Sequence, residues 1–143
     1  MAKRLNKALS AFLIIVVLAT IGAIIYIVNT SNPHEKFTEF YILGMDGKAD
    51  NYPKQVKLEE NAQVIVGIVN HEQQAMTYRM DVLVDEAKDE SYNPIMLAAE
   101  AKWEQQVNII PTKIGANQKV LFNLYKEGDA QPYLQLNLWI DVY

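Results

Sequence analysis

The chain has 143 residues, a formal charge of −4 and no cysteine, which excludes disulfides and thiolate metal sites and leaves any fold to be held by its core alone. Its charge is unevenly placed: once Lys3, Arg4 and Lys7 are set aside, 10 basic residues stand against all 17 acidic ones, a formal −7. A domain this acidic is repelled by nucleic-acid phosphate and by anionic lipid head groups, so nucleic acid is not an expected partner.

Residues 8–28, ALSAFLIIVVLATIGAIIYIV, run for 21 positions without a charge. As a helix, at ~1.5 Å per residue, they extend about 31 Å, which matches a hydrocarbon layer of roughly 30 Å. A cleaved signal peptide has a shorter apolar core, about 7–15 residues, and a small-x-small site after it. The run here is longer, and Ile25-Tyr26-Ile27-Val28 is a poor peptidase site. An uncleaved anchor in the lipid bilayer is the expectation. Lys3, Arg4 and Lys7 predict residues 1–7 in the cytoplasm, residues 8–28 across the membrane and the domain that follows outside.

Ala19, Gly22 and Ala23 put small residues along this helix, a pattern through which another helix can approach closely, although such residues are common in membrane helices anyway. Asn29-Thr30-Ser31 is the single N-x-[ST] sequon, a possible glycosylation site too close to the membrane to be readily used. Residues 29–36 read as a short polar stem, which keeps the following domain near the bilayer and favours partners in the same membrane.

From Phe37 the apolar period changes to two. Phe37, Glu39, Tyr41 and Leu43 alternate with Thr38, Phe40 and Ile42, and Gly44 and Asp46-Gly47 end that strand. Val56 and Leu58 mark a short second strand. Residues 63–70, QVIVGIVN, are apolar on both faces, as in a central strand, and Gly67 leaves room for a large neighbour or marks a bulge. Residues 77–84 alternate with Tyr78, Met80, Val82 and Val84 inward, and a hairpin with residues 63–70 is expected. Residues 85–94 read as a charged loop, and residues 96–102 fit either helix or strand. Strands follow at Trp103 to Ile109, around Val120, Phe122 and Leu124, and from Leu134 to Val142.

About seven short strands with regular turns predict an all-β fold, an immunoglobulin-like antiparallel β-sandwich over residues 37–143.

Certain residues also carry a resemblance. They are Phe37-Thr38-Glu39-Phe40-Tyr41-Ile42-Leu43-Gly44 with Gly47 and Tyr52-Pro53, then Gly67-Ile68-Val69-Asn70-His71-Glu72 and Tyr78, and finally Pro132-Tyr133-Leu134 with Leu138-Trp139-Ile140. Together they resemble a C-terminal domain of prokaryotic, largely archaeal, membrane proteins, the domain-of-unknown-function family numbered sixteen-sixteen. The resemblance implies a fold and a surface location. It implies no reaction and no catalytic residue, and members often carry several membrane helices where this chain has one.

Asn70-His71-Glu72 is the sharpest polar cluster. His71 and Glu72 are weak candidates for a metal or acid–base site, and His34-Glu35 is a second such pair. The simpler expectation is turn chemistry, with Asn70 and Glu72 bonded to backbone and His71 capping the hairpin. Asp85, Glu86, Asp89 and Glu90 lack calcium-loop spacing, and no nucleophile motif or phosphate loop occurs.

No cofactor and no enzymatic activity are expected. Trp139 lies on the polar face of the last strand, where an exposed ring would mark an interface; the alternative is a second sheet or loop covering that face. The expected function is a non-enzymatic accessory or structural subunit of a membrane or cell-envelope assembly, partnered by another membrane or surface protein. The alternative is an extracytoplasmic module binding surface glycan or a metal ion.

Overall fold

The structure is a computed structural model describing residues 2–30 and 35–143. It divides into two compact units, Met1–Glu35 and Lys36–Tyr143.

The first unit is one α-helix, α1 (Ala2–Thr30). Residues 6–29 are long and apolar enough to cross a membrane, and their side chains lie exposed. A helix apolar on every side has no soluble face to present to water. The helix is longer than the apolar stretch, taking in residues 2–7 and 29–30 as well. Of the stem, residues 31–34 lie outside the described residues, and with them His34 of the second His-Glu pair.

The second unit is a sandwich of eight strands: β1 (Phe37–Leu43), β2 (Gln55–Val56), β3 (Ala62–His71), β4 (Met76–Val84), β5 (Ala87–Leu97), β6 (Lys102–Ile109), β7 (Gly115–Lys126) and β8 (Leu134–Val142). One sheet has the order β1-β3-β6 and the other β2-β8-β7-β4-β5. Every pairing is antiparallel except that of the two-residue β2, which runs parallel to β8. The inward sets meet in one core. Ile42, Val64, Val66, Ile68, Val107 and Ile109 come from the smaller sheet, and Tyr78, Met80, Val82, Val120, Phe122, Leu124 and Ile140 from the larger. Burying each of these side chains contributes about 1.5–3 kcal/mol.

Two expectations fail. Residues 63–70 and 77–84 do not form a hairpin: β3 pairs with β1 and β6, and β4 pairs with β5 and β7. Both strands carry a strong core face, and alternation alone does not distinguish two strands in one sheet from two strands facing each other across a core. The connection after His71 crosses between the sheets, with Asn70 Nδ2 donating to the Gln74 carbonyl at 2.7 Å.

Residues 85–94 are not a loop. Asp85 and Glu86, both at positive φ (48° and 66°), reverse the chain in two residues, and β5 follows. Such turns match the twist of a hairpin. β5 is an edge strand with mostly exposed side chains, and two register shifts against β4 break its alternation. Residues 96–102 resolve into the end of β5, a turn with Glu100 at φ 60°, and the start of β6.

Candidate functional site

The pairings Phe37↔His71, Tyr78↔Lys126 and Leu124↔Leu134 bring the start of β1, the end of β3, the start of β4 and the β7–β8 connection to one end of the sandwich. A polar cluster is buried there. Glu72 Oε1 accepts from Lys126 Nζ at 2.8 Å, from Thr38 Oγ1 at 3.0 Å and from the Tyr133 hydroxyl at 3.1 Å. The Tyr78 hydroxyl lies 2.8 Å from Thr38 Oγ1 and 3.4 Å from Asn70 Oδ1, which also accepts the Glu72 amide at 2.9 Å. Asn70 Nδ2 donates further to the Leu97 and Ala98 carbonyls.

Burial by itself pushes the Glu72 carboxyl up, but the bonds from Lys126, Thr38 and Tyr133 outweigh it and hold the group below its ordinary range. Burial likewise pulls Lys126 down, and the Glu72 carboxylate more than restores it. A buried charge is tolerated when it is paired and hydrogen-bonded, as Glu72 is through the three donors on its Oε1. This centre locks elements together.

His71 points to the other face of its sheet from Glu72. Its Nδ1 is 2.6 Å from Glu100 Oε2 and its Nε2 is 3.0 Å from Glu39 Oε1. The Phe37 ring packs on it at 4.7 Å between centroids. The bond toward Glu100 raises the His71 pKa, burial opposes it, and the bond to Glu39 adds to the rise. The two carboxylates sit on opposite ring nitrogens, so they do not converge on a common point. Among the described residues, no three His, Asp or Glu side chains gather as a metal-holding group. The pair singled out in the sequence is therefore divided between two surroundings. The expected turn chemistry holds for Asn70, but Glu72 makes an ion pair and His71 a bridge.

The acidic residues of the β4–β5 hairpin are engaged separately. Asp89 accepts the Ile110 amide at 3.0 Å, and Glu90 accepts the Tyr92 hydroxyl at 2.7 Å. Ala19, Gly22, Ala23 and Asn29 lie exposed along α1, and nothing stands within 4 Å of where a Gly22 Cβ would be.

The outer face of the larger sheet differs from these internal arrangements. Trp139 is 55% exposed there, opposite Lys119, whose Nζ lies 5.8 Å from the ring centroid. A row of polar side chains crosses the same face. Gln135 donates to Asn123 at 2.8 Å, and Asp81 accepts from Ser91 at 2.6 Å and pairs with Lys88 at 3.1 Å. Asp81 and Asn123 are buried among these neighbours. Next to them, the Arg79 guanidinium lies 4.1 Å over the Tyr125 ring. A cleft of about 220 Å³ opens beside that pair, lined also by Asn93, Lys126 and Asp129.

Sequence reasoning singled out Asn70, His71, Glu72 and Trp139 but missed Lys126 as the partner of Glu72, and Glu39 and Glu100 as the partners of His71. The one available signal lay in the resemblance: Thr38, Asn70, Glu72, Tyr78 and Tyr133, all quoted for it, meet in the buried cluster.

Residues 31–141 match a family described as a domain of unknown function, DUF1616. Among solved structures, the chain is similar to the crystal structure of the CARDB domain of the PF1109 protein from Pyrococcus furiosus, in complex with di-metal ions. The TM-score is 0.55 at 13% identity, covering 76% of this chain and 89% of that one. The solution structure of the same domain gives 0.54 at 12% identity, covering 75% and 96%. A β-glucosidase from Listeria innocua in complex with glucose gives 0.50 at 13% identity, over 75% of this chain and 16% of that enzyme. At these identities the likeness is one of fold: an immunoglobulin-like β domain. No curated protein matches the chain in sequence.

Proposed function

The chain belongs to the DUF1616 family, and on that premise we propose that it is a non-enzymatic, single-pass surface protein, an accessory or structural subunit of a membrane or cell-envelope assembly. Residues 8–28 serve as its anchor in the cell membrane, and Lys3, Arg4 and Lys7 favour a cytoplasmic N-terminus with the β domain outside. Its partner is another membrane or surface protein.

The observation that carries this reading is the outer face of the β2-β8-β7-β4-β5 sheet. Trp139, Arg79 and Tyr125 stand there on a polar row held by its own hydrogen bonds. Trp, Tyr and Arg are the residues that most often dominate binding energy at protein interfaces, and side chains already fixed by neighbours lose little freedom on contact. His71 and Glu72, by contrast, support the fold.

The test is recovery of partners from the native membrane in mild detergent, with wild type, Trp139→Ala and a chain whose residues 8–28 are replaced by an unrelated apolar helix. A stoichiometric partner lost with Trp139→Ala supports the proposal. Equal recovery with Trp139→Ala removes the sheet face from it, and loss with the exchanged helix assigns the contact to α1. A second reading, a module for surface glycan, is favoured by Trp139 standing beside Gln135 and Asn137. It requires a partner-free chain that binds neutral oligosaccharide through Trp139. The metal-ion form of that reading requires a saturable, His71-dependent response to a divalent metal alone.

A further inference from the structure

The His71 bridge goes beyond this reading. It joins three separate parts of the second unit: Glu39 from β1, His71 at the end of β3, and Glu100 from the turn before β6. Glu39 and His71 are diagonal neighbours on one sheet face, since Phe37 pairs with His71 and Glu39 with Val69. Glu100 is set by its backbone: its amide donates to the Asn70 carbonyl at 2.7 Å, at φ 60°.

A neutral imidazole has one N–H and one lone pair. It can donate to only one of these two carboxylates, and its lone pair then faces the other at 3.0 Å or less. A doubly protonated ring donates to both. The two contacts together fit the imidazolium. We propose that His71 is a proton-operated clasp, closed on Glu39 and Glu100 in acid and losing one arm as pH rises, which fastens the start of β1.

The placement gives the clasp a purpose. Among the described residues β1 is an edge strand, bonded to a neighbour only along β3. Phe37, its first residue, is where the chain arriving from α1 joins the sheet, and Phe37 is stacked on the clasp ring. Tension on the anchor therefore reaches the domain at this strand end. Histidine is the side chain whose charge changes between about pH 5 and 8, so an exterior that acidifies would tighten the attachment.

Two of the other charged groups near the ring are already committed. Lys102, opposite Val69 on β6, pairs with Glu104 at 3.3 Å. Glu72 pairs with Lys126 on the core side. Glu35 and Lys36 precede β1 and are exposed.

The sign of the effect follows from the raised His71 pKa. A group raised on folding contributes stability that is fully present below its unfolded pKa and is lost as pH rises through the folded value.

The experiment uses the full chain in detergent micelles. Magnetic-resonance titration of its two histidines is combined with amide exchange of β1, corrected for intrinsic rate, on either side of the His71 midpoint. The expected result is a His71 midpoint above that of an unperturbed histidine, lowered by Glu39→Gln and again by Glu100→Gln. Exchange at the start of β1 should be several-fold faster above the midpoint in wild type and pH-independent in His71→Gln. An unperturbed His71 midpoint overturns the proposal. So does the same pH response of β1 in wild type and His71→Gln, or a response confined to strands away from β1.

Discussion

The ring of Tyr41 lies against the backbone of Gly67, in the space that any side chain on Gly67 would need. The two residues are direct partners across β1 and β3, and Glu104 pairs with Gly67 from the other side, so Tyr41 bridges three strands through its 2.6 Å bond to Glu104. An aromatic ring laid over a cross-strand glycine restores the packing that the glycine forfeits.

Replacing Gly67 by valine should therefore destabilise the domain, although valine is the better strand former. The Cβ would meet the Tyr41 ring directly, and overpacking of this kind costs about 1–3 kcal/mol. The measurement is thermal unfolding of the wild type against Gly67→Val and the double variant Gly67→Val/Tyr41→Ala. Recovery of part of the lost stability in the double variant identifies the Tyr41 contact as the cause.

Burial, followed by the hydrogen bond and charge of Glu104, raises the Tyr41 hydroxyl to about 12. Glu104→Gln should bring that ionisation down toward the ordinary tyrosine value while leaving Tyr78 unmoved, because Tyr78 lies in the separate cluster around Thr38 and Asn70. Alkaline ultraviolet titration of the two proteins distinguishes this outcome from an indifferent Tyr41.

The Glu72–Lys126 pair predicts behaviour in acid. Burial pushes Glu72 up and its three donors more than compensate, so its folded pKa is lowered. A lowered carboxylate stabilises the fold above its unfolded pKa and loses that contribution as pH falls through the folded value. Lys126→Met removes the strongest donor and leaves the burial. The acid unfolding midpoint should then rise, and stability at neutral pH should fall by about 3 kcal/mol, the lower end for breaking one side of a buried pair. An unchanged acid midpoint would remove Lys126 from the account.

Trp139 and Trp103 are the chain's two tryptophans. Trp139 is 55% exposed, whereas Trp103 packs edge-on against Tyr92 at 5.7 Å. Acrylamide should quench the wild-type emission in two unequal parts, and Trp139→Phe should abolish the easily quenched part with little change in unfolding temperature. Loss of stability instead would show that this ring supports the sheet.

Much of this was legible beforehand because period-two alternation is a local property. Tyr78, Met80, Val82 and Val84 faced inward as expected, and so did Val120, Phe122 and Leu124. Gly67 was expected either to admit a large neighbour or to mark a bulge, and Tyr41 supplies the neighbour. What stayed hidden depends on which strands meet. β3 and β4 follow each other in sequence yet belong to different sheets, and β5 escaped notice because an exposed edge strand carries the composition of a loop. The partners of Asn70-His71-Glu72 were hidden for the same reason: Lys126 lies 54 positions from Glu72 in the chain, and nothing local to either residue announces the other.

The position of β8 bears on how the domain is completed. β8 follows β1 to β7 in the chain, yet it lies inside its sheet, between β7 and β2. Among the described residues β2 pairs with β8 alone, and the backbone bonds of its segment reach far along the chain: the Asp141 amide donates to the Lys54 carbonyl, and the Tyr143 amide to the Val56 carbonyl. A nascent chain must therefore carry β2 unpaired through the synthesis of β3 to β7. Pairings so distant in sequence slow folding, so the larger sheet closes only once β8 is free of the ribosome.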